Sequence, residues 1–212
     1  MEIDQIKLEV RGHDAELIRE APVMRASVLI PLVERGGVTC VLFEERNRNI
    51  PQGGEICFPG GQLEENEAPA ETAVRETAEE LLLRREQIEV LAPLHRLEAS
   101  GSRTIDSFLG ILHGYEDTWA PDEVARTFLL PLKQFIDTPP EVYKGRSKVI
   151  PGGDFPYELI PGGRDYRFAS SPQKFYFYRT DFGVIWGLTA KLLYHFTELL
   201  RPSAQTRGSS DG

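Results

Sequence analysis

The chain has 212 residues, of which 41% are hydrophobic and 9% aromatic, and its formal net charge is −9 at pH 7. This length suits one domain with a well-buried core and is short for two. The excess of acidic side chains argues against nonspecific binding to nucleic acid or to an anionic membrane surface. We therefore expect a single domain over residues 1–200, followed by a polar, disordered tail at 201–212.

The cellular location is expected to be cytoplasmic. The first ten residues lack the basic start and the long apolar run of a secretory signal peptide. The longest apolar stretch, "VIWGLTAKLLYHFTELL", contains Lys191, His195 and Glu198 and falls short of a clean membrane span. Cys40 and Cys57 lie in apolar runs without metal-ligand spacing, which favours buried thiols in a reducing compartment over a disulfide.

Strand patterns dominate the first half of the chain. Two apolar runs at 25–33 and 38–46, joined by "ERGG", predict a β-hairpin. A short third strand is expected at "EICF", and two more are expected from Gln87 and from Thr104. Between the third and fourth strands, good helix formers from Pro69 through Leu83 predict a helix. Its narrow stripe of mostly small residues can lie close against a sheet: Ala70, Ala73, Val74, Thr77 and Leu81.

The second half is harder to interpret. The segment "DEVARTFLLPLKQFID" has apolar residues at helical spacing up to Pro131, where the missing amide interrupts any helix, and a short strand is the alternative. Residues 139–172 are rich in Pro, Gly and Tyr and predict loops and short strands that cover one side of the core. A strand at "KFYFYRT" leads into a helix from about Val184 to Leu200. There we expect Trp186 in the core, with Gly187 and Ala190 allowing a neighbour to approach closely.

Three glutamates on the first predicted helix place negative charges close together. Glu76, Glu79 and Glu80 are three and four residues apart, so their carboxylates are neighbours and repel each other. A solvated helix face is the usual explanation of such a pattern. Hard divalent cations, however, prefer converging carboxylate oxygens and use substrate phosphates to complete their coordination. We therefore interpret the cluster as a site for Mg²⁺ or Mn²⁺, which would also let an acidic protein handle an anionic ligand.

The same segment resembles the signature of the Nudix hydrolase superfamily, glycine-x5-Glu-x7-Arg-Glu-apolar-x-Glu-Glu-x-Gly-apolar. Two positions depart from it, because Thr77 stands at a usually apolar position and Leu82 replaces the second glycine. A leucine in a left-handed turn costs about 1–2 kcal/mol, so we expect the helix to continue into "RREQ". Six fixed positions agree in register: Gly61, Glu67, Arg75, Glu76, Glu79 and Glu80.

The resemblance implies an α+β fold, an α/β/α sandwich in which a mixed central β-sheet lies between helices. It also implies hydrolysis of a nucleoside diphosphate linked to another moiety, with water attacking a phosphorus of the diphosphate. Glu76 and Glu80 are the candidate metal ligands, with Glu79 as a further ligand or as the proton acceptor for water. The backbone carbonyl of Gly61 is a further candidate ligand.

Other residues have supporting or unassigned roles. Glu67 and Arg75 are expected to brace the loop and the helix, since Arg suits a bidentate pair and cannot give up its proton. The superfamily often draws a further carboxylate from outside the signature, and Glu98 and Glu123 are candidates, although an ordinary surface role is the more frequent outcome for each. The four histidines are interpreted as structural.

The stretch "LFEERNRNIPQGGEICFPGG" is similar to the leader of the coenzyme A diphosphatase subgroup. Arg46 matches an arginine of that leader, whereas Pro51 stands where a second arginine is expected, and Arg48 is a possible substitute. Both arginines could bind an extra phosphate of the substrate, and solvated loop charges are an equal alternative.

This resemblance implies coenzyme A or its thioesters as the substrate, with phosphopantetheine and 3',5'-ADP as the products. The alternatives are another nucleoside diphosphate derivative, such as ADP-ribose, a nucleotide sugar or a dinucleotide, and a Nudix-fold ligand sensor without turnover. The small-molecule substrate is the expected partner, and the sequence leaves a homodimer open.

Overall fold

The computed structural model describes residues 23–99 and 103–201, together with the isolated positions 3, 5, 11 and 12. Expectations for the rest of the N-terminus and for the tail from 202 onward lie outside the described residues. No helix within the described ranges is long and apolar enough to cross a membrane.

A mixed sheet of seven strands forms the centre of the described molecule, in the order β3-β2-β1-β6-β5, with β4 paired to β1 and β7 paired to β2. The pairing of β1 with β6 is parallel, and the other pairings are antiparallel. The predicted hairpin is confirmed as β1 and β2. The strands are β1 (Met24–Arg35), β2 (Val38–Arg46), β3 (Ile56–Cys57), β4 (Gly60–Gln62), β5 (Ile88–Ala99), β6 (Arg103–Leu112) and β7 (Val124–Pro131).

A second, smaller sheet and three α-helices complete the described fold. The antiparallel sheet has the order β10-β9-β8, formed by β8 (Glu141–Lys148), β9 (Ser170–Thr180) and β10 (Gly183–Trp186). The helices are α1 (Pro69–Glu80), α2 (Leu132–Asp137) and α3 (Gly187–Leu200). Three short 3-10 turns lie at Arg85–Gln87, Tyr157–Leu159 and Gly163–Asp165.

Two apolar cores lie on opposite faces of the central sheet. One is formed with α1 and includes Leu29 and Ala73, and the other is formed with the second sheet, α2 and α3 and includes Ile30 and Phe196. Because successive residues of β1 point to opposite faces, Leu29 and Ile30 enter different cores. Both faces of the central sheet are thus covered, which explains the continuous apolar runs of β1 and β2. The expected α+β architecture, a mixed sheet between helices, is confirmed.

Helix α1 has the predicted start but not the predicted end. Ala68 precedes it, and the Ala68 N–H donates to Glu71 Oε2 at 3.0 Å. The expectation that the helix continues into "RREQ" is wrong, because Leu82 adopts a left-handed conformation with φ 54°. The Leu83 N–H then donates to the Ala78 carbonyl at 2.9 Å, which is the closing bond of a Schellman turn. Leu81 on the near side of the turn is fully buried, so tertiary burial outweighs the local strain.

The segment before Pro131 is a strand rather than a helix. Residues of β7 pair with β2 along its length, and Phe128 and Leu130 alternate into the core with the period of a strand. Helix α2 begins only after Pro131. The short strand that the sequence left open is thus confirmed for 124–131 and the helical interpretation is wrong there, because an edge of β2 was available for pairing.

The last helix also begins later than predicted. Residues 183–186 form β10, and α3 starts at Gly187. The expectation of a core tryptophan is wrong, since Trp186 is 43% exposed. Gly187 has open space where a Cβ would lie and a φ of 64°, so it serves a left-handed backbone rather than a close approach. Ala190 is fully buried as expected.

Candidate functional site

Glu80 is a buried carboxylate that points from α1 toward the Pro-Gly-Gly turn. Only 3% of the residue is exposed, and its Oε2 accepts the Gly60 N–H at 2.9 Å. Burial, followed by the negative charge of Glu44, raises the pKa of Glu80 far above its ordinary value. A Cβ on Gly60 would lie 2.3 Å from the Ser27 carbonyl oxygen, so this donor requires a glycine.

Glu76 lies one turn earlier and faces Gly61. A Cβ built on Gly61 would lie 2.2 Å from Glu76 Oε1, so a side chain at this position would displace the carboxylate. Glu76 Oε1 accepts Arg75 Nη1 at 2.9 Å, and burial raises the pKa of Glu76 despite that bond. The Glu79 side chain, by contrast, is 59% exposed and lies 3.4 Å from Arg75 Nη1. The structure therefore brings Glu76, Glu80 and Gly61 together and leaves Glu79 at the solvent edge.

Arg75 and Glu67 form a bidentate ion pair at the start of this site. Arg75 Nε donates to Glu67 Oε1 and Arg75 Nη2 donates to Glu67 Oε2, both at 2.9 Å. Nη2 also donates to the Gln62 carbonyl at 3.3 Å, which ties the loop after β4 to the helix. The hydrogen bonds from Arg75 and then from Thr72 lower the pKa of Glu67 to about 2. This geometry agrees with the bracing role expected from the sequence.

Glu44 was not singled out by the sequence. It lies in β2 with 1% of its surface exposed, beside the apolar run that ends at Phe43. Its Oε1 accepts Cys57 Sγ at 3.2 Å, and within the described residues its Oε2 has no hydrogen-bond partner. Burial raises the pKa of Glu44 and of Cys57. The available signal was a charged residue directly after four apolar strand positions.

Glu123 is the candidate outside the signature that the structure brings to the cluster. It follows the loop after Pro121, and its backbone carbonyl accepts the Asn47 N–H at 2.8 Å. Its negative charge contributes to the raised pKa of Glu76 and of Glu80. Glu98 lies exposed in β5, opposite Thr104.

A cavity of about 430 Å³ opens beside Gly61 and Cys57. Arg46 contributes to its polar part, and Arg46 Nε donates to the Pro51 carbonyl at 3.2 Å. Arg48 is exposed and is absent from the residues that line this cavity. Arg103, at the start of β6, lines it instead and was missed because nothing local distinguishes it. The apolar wall comprises Met24, Ala26, Val28, Phe58, Ile105, Trp186, Leu188 and Leu192.

The donor chemistry fits a hard divalent cation, although a complete cage is not preassembled. Among the side chains that the structure describes, no group of three or more His, Cys, Asp or Glu residues could hold a metal ion as it stands. Arg75 and the Gly60 N–H occupy oxygens of Glu76 and Glu80. Still, burial raises the pKa values of two buried carboxylates, Glu44 and Glu80, and Glu44 Oε2 has no partner among the described residues. Carboxylate oxygens of this kind are the ligands that Mg²⁺ and Mn²⁺ prefer.

The chain is similar to known proteins over more than half of its length. The family model described as NUDIX domain matches residues 23–152. Peroxisomal coenzyme A diphosphatase NUDT7 of Mus musculus is 33% identical over 157 residues, covering 72% of this chain and 66% of that protein, just under two thirds of its length. Nudix hydrolase 3 of Caenorhabditis elegans is 30% identical over 186 residues, covering 83% of this chain and 73% of that protein. The crystal structure of RenU, a Nudix hydrolase from M. Smegmatis, aligns with a TM-score of 0.47 and 24% identity, covering 57% of this chain and 78% of that one.

Proposed function

Because this chain belongs to the Nudix hydrolase family, we propose that it is a pyrophosphohydrolase that uses Mg²⁺ or Mn²⁺ and cleaves the diphosphate of coenzyme A or its thioesters. The superfamily predicted from the signature is thereby confirmed, whereas the substrate is the proposed part. In the reaction, a water oxygen bonds to one phosphorus, and the bond from that phosphorus to the bridging oxygen breaks. The products are phosphopantetheine and 3',5'-ADP, with the proton of the attacking water released.

The observation that carries the proposal is the pair of carboxylates, the half-buried Glu76 and the buried Glu80, held against the Gly60–Gly61 turn, of which Gly61 lines the cavity. The Gly60 N–H fixes the orientation of Glu80, and the Arg75–Glu67 pair holds the helix against the turn. A bound divalent cation would neutralise the diphosphate and make the attacking water more acidic. We propose Glu76, Glu80 and the Gly61 carbonyl as the residues that hold it.

Proton acceptance from water is proposed for Glu79. Its carboxylate is the most exposed of the three in the signature helix, so it is accessible to water. Arg75 lies within 3.4 Å of Glu79 and limits where that carboxylate can move.

Coenzyme A is favoured over other diphosphates by two observations. The mouse relative is named as a coenzyme A diphosphatase. The cavity beside Gly61 is lined by Arg46, Arg103 and an extensive apolar wall, which suits a substrate that has both phosphates and a long, weakly polar arm. Arg46 is the proposed contact to the extra phosphate, since guanidinium groups bind phosphate bidentately. The exposed Arg48 could reach the ligand only from outside the cavity.

Two alternatives use the same site differently. The first is hydrolysis of another nucleoside diphosphate derivative, such as ADP-ribose or a dinucleotide. The second is a sensor that binds such a ligand without turnover. The retained, mutually repelling Glu76 and Glu80 favour catalysis over sensing, because a site that only binds has no need for that repulsion.

A substrate panel tests the proposal. The purified chain is incubated with Mg²⁺ or Mn²⁺ and, separately, with coenzyme A, acetyl-coenzyme A, dephospho-coenzyme A, ADP-ribose and a dinucleoside polyphosphate, and the products are identified by mass. We expect phosphopantetheine and 3',5'-ADP from coenzyme A, with slower cleavage of dephospho-coenzyme A. Preferred cleavage of ADP-ribose or the dinucleotide would contradict the coenzyme A assignment, and binding without products would favour the sensor.

The cellular location and the oligomeric state of the protein stay predictions. The cytoplasm was expected from the sequence, whereas the name of the mouse relative places that protein in peroxisomes. A homodimer is testable by light scattering coupled to size-exclusion chromatography. The single-domain expectation for residues 1–200 likewise awaits a test, for which limited proteolysis is suitable.

A further inference from the structure

Burial of the Glu44 carboxylate destabilises the fold. Glu44 is 1% exposed, and the only hydrogen bond to its carboxylate within the described residues is from a thiol, Cys57 Sγ to Oε1 at 3.2 Å. The second oxygen, Oε2, has no partner there. A buried polar group without a hydrogen-bond partner destabilises a fold, and a buried charged group without one destabilises it more. A well-packed apolar residue at this position would avoid that cost, so its presence calls for a reason.

The position of Glu44 relative to Glu80 suggests why a carboxylate is kept at this site. Glu44 pairs with Cys57 across β2 and β3, and Cys57 precedes by three residues the Gly60 whose N–H holds Glu80. Neither Glu44 nor Glu80 has a direct ion pair among the described side chains.

A purely structural role accounts for these facts poorly. The neighbouring Glu45 shows what a structural carboxylate of this strand looks like, because its Oε2 accepts Arg126 Nε at 2.7 Å. Among the described side chains, no cation contacts Glu44 in this way. A positive ion bound by Glu44 and Glu80 would give the free Glu44 oxygen a partner and would compensate both buried carboxylates.

We propose that Glu44 is a further direct ligand of the divalent cation, acting together with Glu80, and that Cys57 holds its carboxylate in place. This inference rests on the proposed function, because it concerns the same metal. It assigns a ligand to the sheet, on β2, in addition to those on helix α1. The cation would then link the strand β2 to the helix and the turn on which Glu80 and Gly60 lie.

Metal binding without substrate tests this directly. The full chain is freed of metal and titrated with Mn²⁺ by calorimetry, with free Mn²⁺ followed independently by electron paramagnetic resonance. For Glu44→Gln we expect the Kd for Mn²⁺ to rise at least about 10-fold, since loss of a direct ligand exceeds the smallest effects of outer-shell changes. The matched control is Glu45→Gln, which removes one carboxylate from the same strand and should leave the Kd within about twofold.

The role of Cys57 has its own pair of variants. Cys57→Ala removes the donor to Glu44 and should weaken Mn²⁺ binding by a smaller factor than Glu44→Gln does. Cys57→Ser retains a donor and should recover part of the loss. If Glu44→Gln fails to fold, Glu44→Asp keeps the charge but shortens the side chain by one methylene, and it too should raise the Kd.

The outcomes separate this inference from the proposed function. Unchanged Mn²⁺ affinity in folded Glu44→Gln, while the wild type binds metal and hydrolyses substrate, overturns the role of Glu44 alone. A wild type that binds Mn²⁺ but cleaves no diphosphate contradicts the proposed function, and the affinity of Glu44→Gln still decides the ligand assignment. A wild type that binds no Mn²⁺ overturns both.

Discussion

The carboxylates around the Pro-Gly-Gly turn differ in what surrounds them, and their expected roles differ accordingly. Glu80 is buried and accepts one backbone donor, whereas Glu79 lies mostly in solvent. Both carboxylate oxygens of Glu67 accept hydrogen bonds from Arg75. Because a carboxylate with both oxygens in a bidentate ion pair has no oxygen left for a cation, Glu76 and Glu80, whose side-chain hydrogen bonds within the described residues use one oxygen each, are the better candidates.

Glu80→Gln is expected to abolish turnover, which means a fall in kcat/KM of at least about 100-fold. The glutamine oxygen can still accept the Gly60 N–H, and a neutral amide relieves the repulsion from the neighbouring carboxylates, so the thermal midpoint should stay the same or rise. Steady-state kinetics with thermal unfolding as the folding check would test this. Wild-type rates in a folded variant would contradict the account of the site.

The Glu67–Arg75 pair predicts a dependence of stability on acid. Because the pKa of Glu67 falls from its ordinary 4.5 to about 2 in the folded chain, the unfolded chain takes up the proton first as the pH drops. The stabilisation is therefore complete above about pH 4.5 and is lost as the pH falls toward about 2. We expect Glu67→Gln to be less stable than the wild type at pH 7 and to approach it as the pH falls through this window.

Urea unfolding at pH 7, 5, 4 and 3 measures the difference. Glu65→Gln, at an exposed position of the same loop, is the control and should track the wild type at every pH. A gap between the wild type and Glu67→Gln that is the same at pH 7 and pH 3 would show that the ion pair is not the source of the stabilisation.

At the scale of elements, the end of α1 shows local preference and tertiary packing in opposition. Leu82 is 60% exposed and has φ 54°, while Leu81 beside it is fully buried. The Leu81 carbonyl accepts Thr118 Oγ1 at 2.6 Å, and the Glu80 carbonyl accepts the Ala120 N–H at 2.8 Å. The loop at 118–120 thus caps the helix, and the chain tolerates a leucine where a glycine would be unstrained.

Leu82→Gly is expected to increase the free energy of unfolding by about 1 kcal/mol, because it removes the left-handed strain while exposing little new surface. Leu82→Ala is the control, since it removes the same side chain but keeps the Cβ that causes the strain. Urea unfolding of both variants decides the point. A glycine variant no more stable than the alanine variant would mean that Leu82 bears no strain.

The strand β7 shows that distant pairing, rather than local spacing, decided its secondary structure. The spacing of its apolar residues is compatible with a helix, yet the segment pairs with β2 from Val124 to Pro131. Short apolar runs do not distinguish the two periods reliably, and pairing with a distant strand decides between them. Helix α1 was predictable because its helix formers, its early proline and its small apolar stripe all agree.

At the scale of the whole molecule, the cavity lies where the central sheet meets the second sheet and α3. Its wall takes Ile105 from β6, Trp186 from β10 and Leu188 from α3. The Trp186 ring lies parallel to that of Phe177, with their centroids 6.3 Å apart, which holds a large exposed aromatic side chain at the cavity. A substrate arm entering the cavity would gain contact area from it.

Trp186→Ala is therefore expected to raise the KM for acetyl-coenzyme A by roughly 3- to 10-fold with little change in kcat, since a wall contact binds the substrate and the transition state alike. The control is Phe182→Ala, because Phe182 is 40% exposed and stacks on Phe128 but does not line the cavity. Unchanged KM in the Trp186 variant, or an equal effect in the control, would exclude the cavity as the site of the arm.

The spacing from Gly61 to Glu80 by itself determined the signature helix, the family and the candidate carboxylates, because these depend on residues close together in the chain. The hairpin of β1 and β2 was determined in the same way. Tertiary structure alone decided that Glu44 lies buried opposite Cys57, that Arg103 rather than Arg48 lines the cavity, and that Leu82 takes a left-handed conformation. Each of these depends on partners far away in sequence, whose packing outweighs local preference and leaves no periodic signal in the chain.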